Sequence, residues 1–201
     1  SISLGSSRDK NAETIDFTQI EFQDYSVNID RITGAVSISF KGGIVYSEKE
    51  AMEFRFNSTG NPVSLKMVMQ ASVEEKFFGF GERFNSLNQR GNILDVRVYE
   101  EYKSQSEGNR TYLPIPFFLT SENRGHCINS SRKITYDLRA EDSWSFEVEL
   151  EDFNFESHIY FGSPENILRS QAELTGFPVL PPDWAFGPWM SSNEWNSQKR
   201  V

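Results

Sequence analysis

Cysteine and histidine are scarce in this chain: Cys127, His126 and His158 are all that its 201 residues contain. One cysteine excludes a disulfide within the chain and a cysteine-based metal site. Two histidines cannot build a histidine-rich zinc site, so we predict neither a metal nor a cofactor. Neighbouring residues in a strand point to opposite faces, so His126 cannot act as a base for Cys127. We expect Cys127 to be a small apolar residue and both histidines to be ordinary strand residues.

Positive charge and long apolar runs are scarce too. The 20 Lys and Arg residues against 29 Asp and Glu give a net charge of −9, and such a surface repels nucleic-acid phosphates and anionic lipids. No apolar run approaches the roughly 20 residues of a membrane-spanning helix. The N-terminal sequence SISLGSSRDKNAE lacks the basic and apolar regions of a signal peptide. We expect no nucleic-acid or membrane partner and a cytoplasmic protein, whereas neutral ligands such as sugars are compatible with this charge.

Common catalytic motifs are missing as well. The chain has no G-x-S-x-G elbow, no phosphate-binding P-loop and no H-E-x-x-H pair. The sequence GFGER (79–83) completes no dinucleotide-binding pattern, and we interpret it as a tight turn. Adjacent acids occur at 100–101, 141–142 and 151–152, but neighbours in strands and turns point apart. Glycoside hydrolysis needs two carboxyl groups that face each other across a sugar, so we predict no catalytic pair here.

Alternation of apolar and polar residues dominates the first 160 positions, and this is the period of half-buried antiparallel strands. The aromatic fraction of 14 %, with 17 phenylalanines, is ample for a packed core. Turn sequences such as Lys41-Gly42-Gly43 separate the segments. Strands are predicted at 15–22, 25–32, 35–40, 51–57, 63–70, 93–100, 133–138, 143–150 and 153–162. Many short strands with almost no helical period predict a mainly β protein, an antiparallel β-sandwich.

One helix is predicted over PENILRSQAELT (164–175). Ser163 is a suitable N-cap, with proline at the first helical position and glycine after the last. Ile167, Leu168, Gln171 and Leu174 fall on one face, so we expect this face to dock on an apolar surface.

The residues after the helix change in character. GFPVLPPD (176–183) contains three prolines, which exclude regular structure and predict a stiff linker. WAFGPWMS (184–191) is nearly all apolar without alternation, which is typical of a strand buried on both faces in a parallel sheet or barrel. We therefore predict three parts: a sandwich with its docking helix over 1–175, a linker over 176–182, and the start of a truncated barrel domain over 183–201.

Three stretches resemble glycoside hydrolase family 31, the retaining α-glycosidases that include α-glucosidases and α-xylosidases. FFGFGERFNSLNQRG (77–91) is similar to the family's G-x-GE-R-F strand and loop. YLPIPFFLTSENRGHCIN (112–129) is similar to its IPF strand and the following turn, and LTGFPVLPPDWAFGPWMSSNEW (174–195) to the lead into its barrel. The order and spacing make the resemblance specific from about residue 77 onward. The first 76 residues match only in being rich in strands.

The resemblance implies a galactose-mutarotase-like sandwich followed by a (β/α)8 barrel that carries the active site. The parent enzyme would cleave α-linked oligosaccharides or α-glycosides with retention, through a covalent glycosyl-aspartate. The family's two catalytic aspartates lie on later barrel strands, which we expect beyond Val201. We therefore predict no catalytic residue in this chain, no hydrolysis by the chain alone, and the remaining barrel as its partner.

Five residues are candidates for substrate contact through the resemblance. Trp189, Asn193, Glu194 and Trp195 follow the first barrel strand, where relatives place an aromatic wall at the sugar. Trp195 is the best single candidate, because an aromatic ring stacks on the apolar face of a sugar. Glu100 falls where many members have the aspartate of an NRD motif, although a solvated strand-end residue is an equal alternative.

Two other classes remain open: a stand-alone carbohydrate-binding sandwich and a structural or interaction module. The first requires the terminal aromatics to fold back on the sandwich. Leaving Trp184, Phe186, Trp189 and Trp195 in water would forfeit about 15–25 kcal/mol of gross burial, an upper bound. We therefore expect this tail to be disordered, folded back, or buried on a second copy, which makes self-association a further partner interaction.

Overall fold

The chain forms two antiparallel sheets, and residues along most strands alternate between buried and more exposed positions. The structure, a computed structural model, describes residues 2–5, 19–22, 24–30, 35–100, 109–151 and 154–189, with side chains from residue 24 onward. The strands of this part are β1 (Ile2–Gly5), β2 (Gln19–Phe22), β3 (Tyr25–Ile29), β4 (Val36–Phe40), β5 (Gly43–Phe56), β6 (Pro62–Gln70), β7 (Phe77–Gly81), β8 (Ile93–Val96), β9 (Pro114–Thr120), β10 (Arg124–Ile128), β11 (Ile134–Asp137), β12 (Ser143–Glu149) and β13 (Glu156–Phe161).

The strands are divided between a five-stranded and an eight-stranded sheet. Their orders are β1-β13-β10-β9-β7 and β2-β3-β4-β5-β6-β12-β11-β8. The predicted mainly β, antiparallel fold is confirmed, and all nine strands predicted from alternation contain an observed strand. The segment at 51–57 is the second half of the longer β5. Four strands were not predicted from alternation: β1, β7, β9 and β10. The family resemblance implied strands in the stretches that contain β7 and β9.

Large side chains from the two sheets meet in one core. In the eight-stranded sheet, Trp144 and Phe146 of β12 lie opposite Met69 and Met67 of β6. From the five-stranded sheet, Phe118 of β9 comes within 5.0 Å of the Trp144 ring, between centroids, and is almost fully buried. Close packing of aromatic rings between two sheets is the main source of stability in such a sandwich.

Strand β10 presents different residues to its two faces. His126 points into the core, with its ring 5.3 Å from Trp144 and 5.5 Å from Phe146. Cys127 points outward, where its Sγ accepts a hydrogen bond from Gln171 at 3.6 Å. The predicted separation of His126 and Cys127 on opposite faces is therefore confirmed.

The helix α1 (Pro164–Thr175) has the predicted bounds. Ser163 Oγ accepts from the Asn166 amide at 3.4 Å, as the N-cap prediction requires. The helix lies close to β10 because Gly125 leaves room: a Cβ there would be 2.6 Å from Ile167 Cγ2.

The expected apolar docking face of α1 is only partly correct. Ile167 is buried, but Leu168 and Leu174 are 52% and 53% exposed. The helix therefore docks through one aliphatic side chain and leaves two leucines uncovered among the described residues. None of the helices that the structure describes has the length and apolar character needed to span a bilayer.

The strand predicted at 184–191 is wrong over its described part, 184–189. Asp183–Phe186 form a 3-10 turn instead. Pro188 has no backbone N–H to donate a hydrogen bond to a neighbouring strand. No strand among the described residues pairs with this segment. Trp189 Nε1 donates to the carbonyl of Ala185 at 2.9 Å, so the segment is closed by local hydrogen bonds.

Candidate functional site

The first candidate region is the neck of the loop that follows β8. Val98 forms a parallel bridge with Thr111, and the amide of Tyr99 donates to the Thr111 carbonyl at 3.1 Å. Four residues before Tyr99, the Asp95 amide donates to the carbonyl of Asn109 at 2.7 Å. These bonds hold the two ends of the loop together, while residues 101–108 lie outside the described part of the chain.

Side chains make this neck rigid. The ring of Tyr99 has the guanidinium groups of Arg110 and Arg97 at 4.5 and 5.8 Å from its centroid, which is cation–π range. The Tyr99 hydroxyl donates to Asp95 Oδ2 at 3.4 Å, and Thr135 of β11 donates to Asp95 Oδ1 at 3.0 Å. Asp95 therefore ties the loop to the sheet.

Arg83 connects the same neck to the GFGER segment. Its Nε donates to the Phe80 carbonyl at 3.1 Å and its second amino group to the Asp95 carbonyl at 2.9 Å. Burial lowers the pKa of Arg83 to about 10, and the Asp95 carboxylate opposes that shift. The positively charged side chain therefore links β7 to β8. GFGER (79–83) is not the tight turn that we predicted, because Gly79–Gly81 form the end of strand β7 and pair with β9.

Glu100 lies at the exposed end of this neck. Arg97 and Val98, which precede it in the chain, line a cleft of about 520 Å³ with a basic and hydroxylic lining. The lining includes Arg97, Arg132, Lys133 and the hydroxyls of Ser130 and Ser131. These groups can donate hydrogen bonds to sugar hydroxyls, which suits a role in substrate contact. An exposed strand-end carboxylate suits the alternative equally, so the role of Glu100 stays a prediction.

The second candidate region is the tail. Trp184, Phe186 and Trp189 are 73%, 68% and 75% exposed, and the two tryptophan rings are 6.3 Å apart between centroids. These aromatics are therefore not folded back on the sandwich. Of the predicted contact residues, Asn193, Glu194 and Trp195 lie outside the described residues.

The loop neck and the C-terminal end of α1 flank the same strand. Pro116 of β9 lines the cleft formed by the neck and also a second cleft of about 330 Å³ that Leu174 and Thr175 line. We call the exposed apolar side chains of this strand and its neighbours, together with those of the tail, the apolar side. It consists of the exposed Val98, Tyr112, Leu113, Ile115 and Leu174, together with Phe177, Val179, Leu180, Trp184, Phe186 and Trp189 of the tail.

Neither cleft on the apolar side has the groups that catalysis would need. Each is lined by one acidic side chain, Glu149 in the first and Glu156 in the second. Burial raises the pKa of the Cys127 thiol in the second cleft, so this thiol is a poor nucleophile. Within the described residues, no cluster of acidic, histidine and cysteine side chains could hold a metal ion.

Sequence reasoning missed three of the residues that build the neck, namely Asp95, Tyr99 and Arg110. A signal existed for two of them: in ILDVRVY the period of two places Asp95 and Tyr99 on one face of the extended chain. Their partners come from distant segments and are not readable from local pattern.

Comparison with known proteins places the chain in context. Residues 5–137 match the family described as the glycosyl hydrolase 31 N-terminal galactose mutarotase-like domain. The chain is 39% identical over 138 residues to an isomaltosyltransferase of Sporosarcina globispora, covering 64% of this chain and 12% of that protein. It is 36% identical over 138 residues to a 1,3-alpha-isomaltosidase of Kribbella flavida, covering 66% and 19%.

A solved structure agrees with these sequence matches. The cycloalternan-forming enzyme from Listeria monocytogenes, in complex with a pentasaccharide substrate, superposes with a TM-score of 0.77 at 28% identity. The match covers 90% of this chain and 18% of that one. The chain thus spans less than a fifth of the length of each of these three proteins.

Proposed function

Because the chain belongs to glycosyl hydrolase family 31, through the N-terminal galactose mutarotase-like domain, we propose that it is the N-terminal part of a retaining α-glycosidase. The enzyme acts on α-linked oligosaccharides by double displacement through a glycosyl-aspartate. Both catalytic carboxylates are supplied by the barrel that follows the sandwich. The relatives, whose names refer to isomaltosyl units and cycloalternan, support this substrate class.

The observation that carries this proposal is the apolar side. Burying the exposed parts of Trp184, Phe186 and Trp189 would gain on the order of 10 kcal/mol gross, an upper bound. A partner domain that covers this side would realise that gain. The stand-alone carbohydrate-binding module needs these aromatics on the sandwich, where the structure does not place them. In the isolated chain the same surface would promote self-association, which stays a prediction.

The first test is activity. We expect purified residues 1–201 to show no hydrolysis of isomaltotriose or of an aryl α-glucoside, since the sequence predicts no catalytic pair of carboxylates in them. The full-length protein that contains these residues is expected to hydrolyse at least one of them, with the α-anomer as the first product by NMR. Turnover by residues 1–201, or a β-anomeric product from the full-length protein, would contradict the proposal.

The second test concerns the predicted contact residues in the full-length enzyme. We propose that Glu100 and Trp195 contact the sugar, with Trp189, Asn193 and Glu194 around them. E100Q and W195A are each expected to lower kcat/KM by about 10- to 100-fold, because each removes a contact worth about 1–3 kcal/mol.

The exposed Glu74 provides a matched control for the carboxylate. E74Q should leave kcat/KM within about twofold, since surface substitutions away from a site have little effect. If E100Q behaves like E74Q at unchanged thermal stability, Glu100 is a solvated strand-end residue and the alternative holds.

A further inference from the structure

A third cleft lies at the end of the sandwich away from the apolar side. It has a volume of about 520 Å³ and opens between the two sheets. Arg124, the first residue of β10, lines it, whereas Ile128, the last residue of the same strand, lines the second cleft of the apolar side. A five-residue strand separates the two by roughly 13 Å. The two clefts are therefore separate.

Three aromatic rings form the floor of the cleft. Tyr25 of β3 lies 4.7 Å from Phe40 of β4 and 5.8 Å from Phe161 of β13, between ring centroids, with interplanar angles of 35° and 28°. Tyr25 and Phe161 pack on the main core with part of their surface, and the rest is open to the cleft. Tyr25 and Phe161 are thus held in place by the core, and Phe40 packs against the Tyr25 ring.

Polar groups with fixed positions form the rim. Arg124 has its Nε 3.1 Å from Oε1 of Glu75 and a second contact to Oε2, and the Glu75 side chain is fully buried. Arg124 also donates to the Val45 carbonyl at 3.4 Å. The guanidinium is therefore preorganised at the junction of the sheets, with 17% of its side chain exposed to the cleft.

The neighbouring turn adds an acceptor and an amide. Glu122 lies 3.4 Å from Arg124 through Oε2, and Asn123 has a φ of 58°, in the left-handed region. The Asn123 carbonyl accepts from the Gly162 amide at 3.0 Å, which fixes the turn on β13. The Asn123 side-chain amide is exposed and makes no hydrogen bond to any residue that the structure describes.

The charge of the rim selects the kind of ligand. Arg124 is balanced by Glu75 and by Glu122. Lys41, with its Nζ 5.2 Å from the Phe40 ring centroid, pairs with Asp24 at 3.8 Å. An anion would therefore meet a carboxylate, and a cation would meet a guanidinium. A neutral ligand with an apolar face and many hydroxyls avoids both penalties, stacking on the rings and bonding to the guanidinium, carboxylate and amide. We propose that this cleft binds a hexopyranose unit of a neutral oligosaccharide, at a site separate from the apolar side.

The inference rests on the cleft's own residues and goes beyond the proposed activity. The experiment is a titration of 15N-labelled residues 1–201 with isomaltotriose and maltotriose, followed by NMR. Amide shifts are expected at Arg124 and Gly162, with a dissociation constant on the order of 1 mM. Glucose 6-phosphate should bind at least about tenfold more weakly, because Glu122 repels the phosphate.

Two variants test the floor and the rim. F40A removes one ring, and N123G removes the amide while glycine keeps the positive φ; each should weaken binding about tenfold. F56A is the matched control, since Phe56 is an exposed aromatic of β5 outside the cleft. N123G keeps the test informative if F40A does not fold.

Three results would overturn the proposal: no shifts at Arg124 and Gly162, equal loss of binding in F56A, or tighter binding of glucose 6-phosphate. Shifts confined to Trp189 and Glu100 would also overturn it, while supporting the substrate-contact proposal for those residues. Inactivity of the full-length protein on α-glycosides would contradict the proposed function and leave the binding result unaffected.

Discussion

Replacing Gly81 with alanine is expected to lower the free energy of unfolding by about 3–5 kcal/mol, or to prevent folding. Gly81 has a φ of +86°, and a Cβ there would lie 2.0 Å from the Leu113 carbonyl oxygen and 2.7 Å from the Ile115 amide nitrogen. These are backbone atoms of β9 and its approach, so no side-chain rotation relieves the overlap. Strand β7 would have to separate from β9.

Gly91 offers a matched control for the backbone term. Its φ is +87°, but a Cβ there would meet nothing within 4 Å. G91A should therefore cost only the left-handed strain, about 1–2 kcal/mol. The difference between the two variants, measured by urea denaturation with tryptophan fluorescence, isolates the steric overlap. Equal losses in G81A and G91A would show that β7 does not approach β9 as described.

The position of Gly81 links this stability effect to the candidate site. The following residue, Glu82, donates its amide to the Leu113 carbonyl at 2.9 Å, and Arg83 then bonds to Asp95. Moving β7 away from β9 would shift Arg83, and with it the neck that holds Glu100. The close backbone approach at Gly81 therefore helps to fix the loop that follows β8.

The fold was predictable where burial alternates on one face of a strand. β6 and β12 face the core with every second residue, and the pattern showed both strands. β10 was missed because α1 covers its outer face: Gly125, His126 and Cys127 are all buried, which hides the period of two. A local pattern cannot report that a helix from 40 residues later covers the strand.

The prediction of a strand in the tail was wrong for a related reason. WAFGPWMS has the composition of a doubly buried strand, but such a strand exists only when neighbours pair with it. Over the described residues the segment forms a 3-10 turn with a local Trp189–Ala185 hydrogen bond instead. At the candidate site, the family resemblance indicated Glu100 but not the residues that hold its loop. One of the contacts that hold this loop joins Asp95 to Thr135, 40 residues apart in the chain. Pairing at that separation has no local sequence signature.

The stability of the chain is expected to fall as the pH drops below 6.5, and His126 is the cause. Burial lowers the pKa of His126 from 6.5 to about 3, and His158 adds to the shift. Neither ring nitrogen has a hydrogen-bond partner among the described residues, since aromatic rings surround them. The unfolded chain binds a proton at this histidine below 6.5, while the folded chain does not until the pH approaches 3. Protonation therefore favours unfolding throughout that window.

The magnitude follows from linkage. Well below 6.5 the loss approaches about 1.4 kcal/mol per pH unit, or about 2 kcal/mol between pH 7 and pH 5. H126F keeps an aromatic ring among Phe118, Trp144 and Phe146 and removes the titration, so its loss over this interval should be smaller by that amount. Buried Glu48 works in the opposite sense: burial raises its pKa above 4.5, so its contribution is lost as the pH rises. It is present in both proteins and cancels in the difference.

The second histidine supplies the control for this comparison. H158F should retain the fall in stability below pH 6.5, because His126 remains. The measurement is the free energy of unfolding in urea at pH 7, 6 and 5 for the three proteins. If H126F loses as much stability between pH 7 and pH 5 as the unsubstituted chain, His126 is not held neutral in the core. A protonated His126 would need a hydrogen-bond acceptor in the core, and neither of its ring nitrogens has one among the described residues.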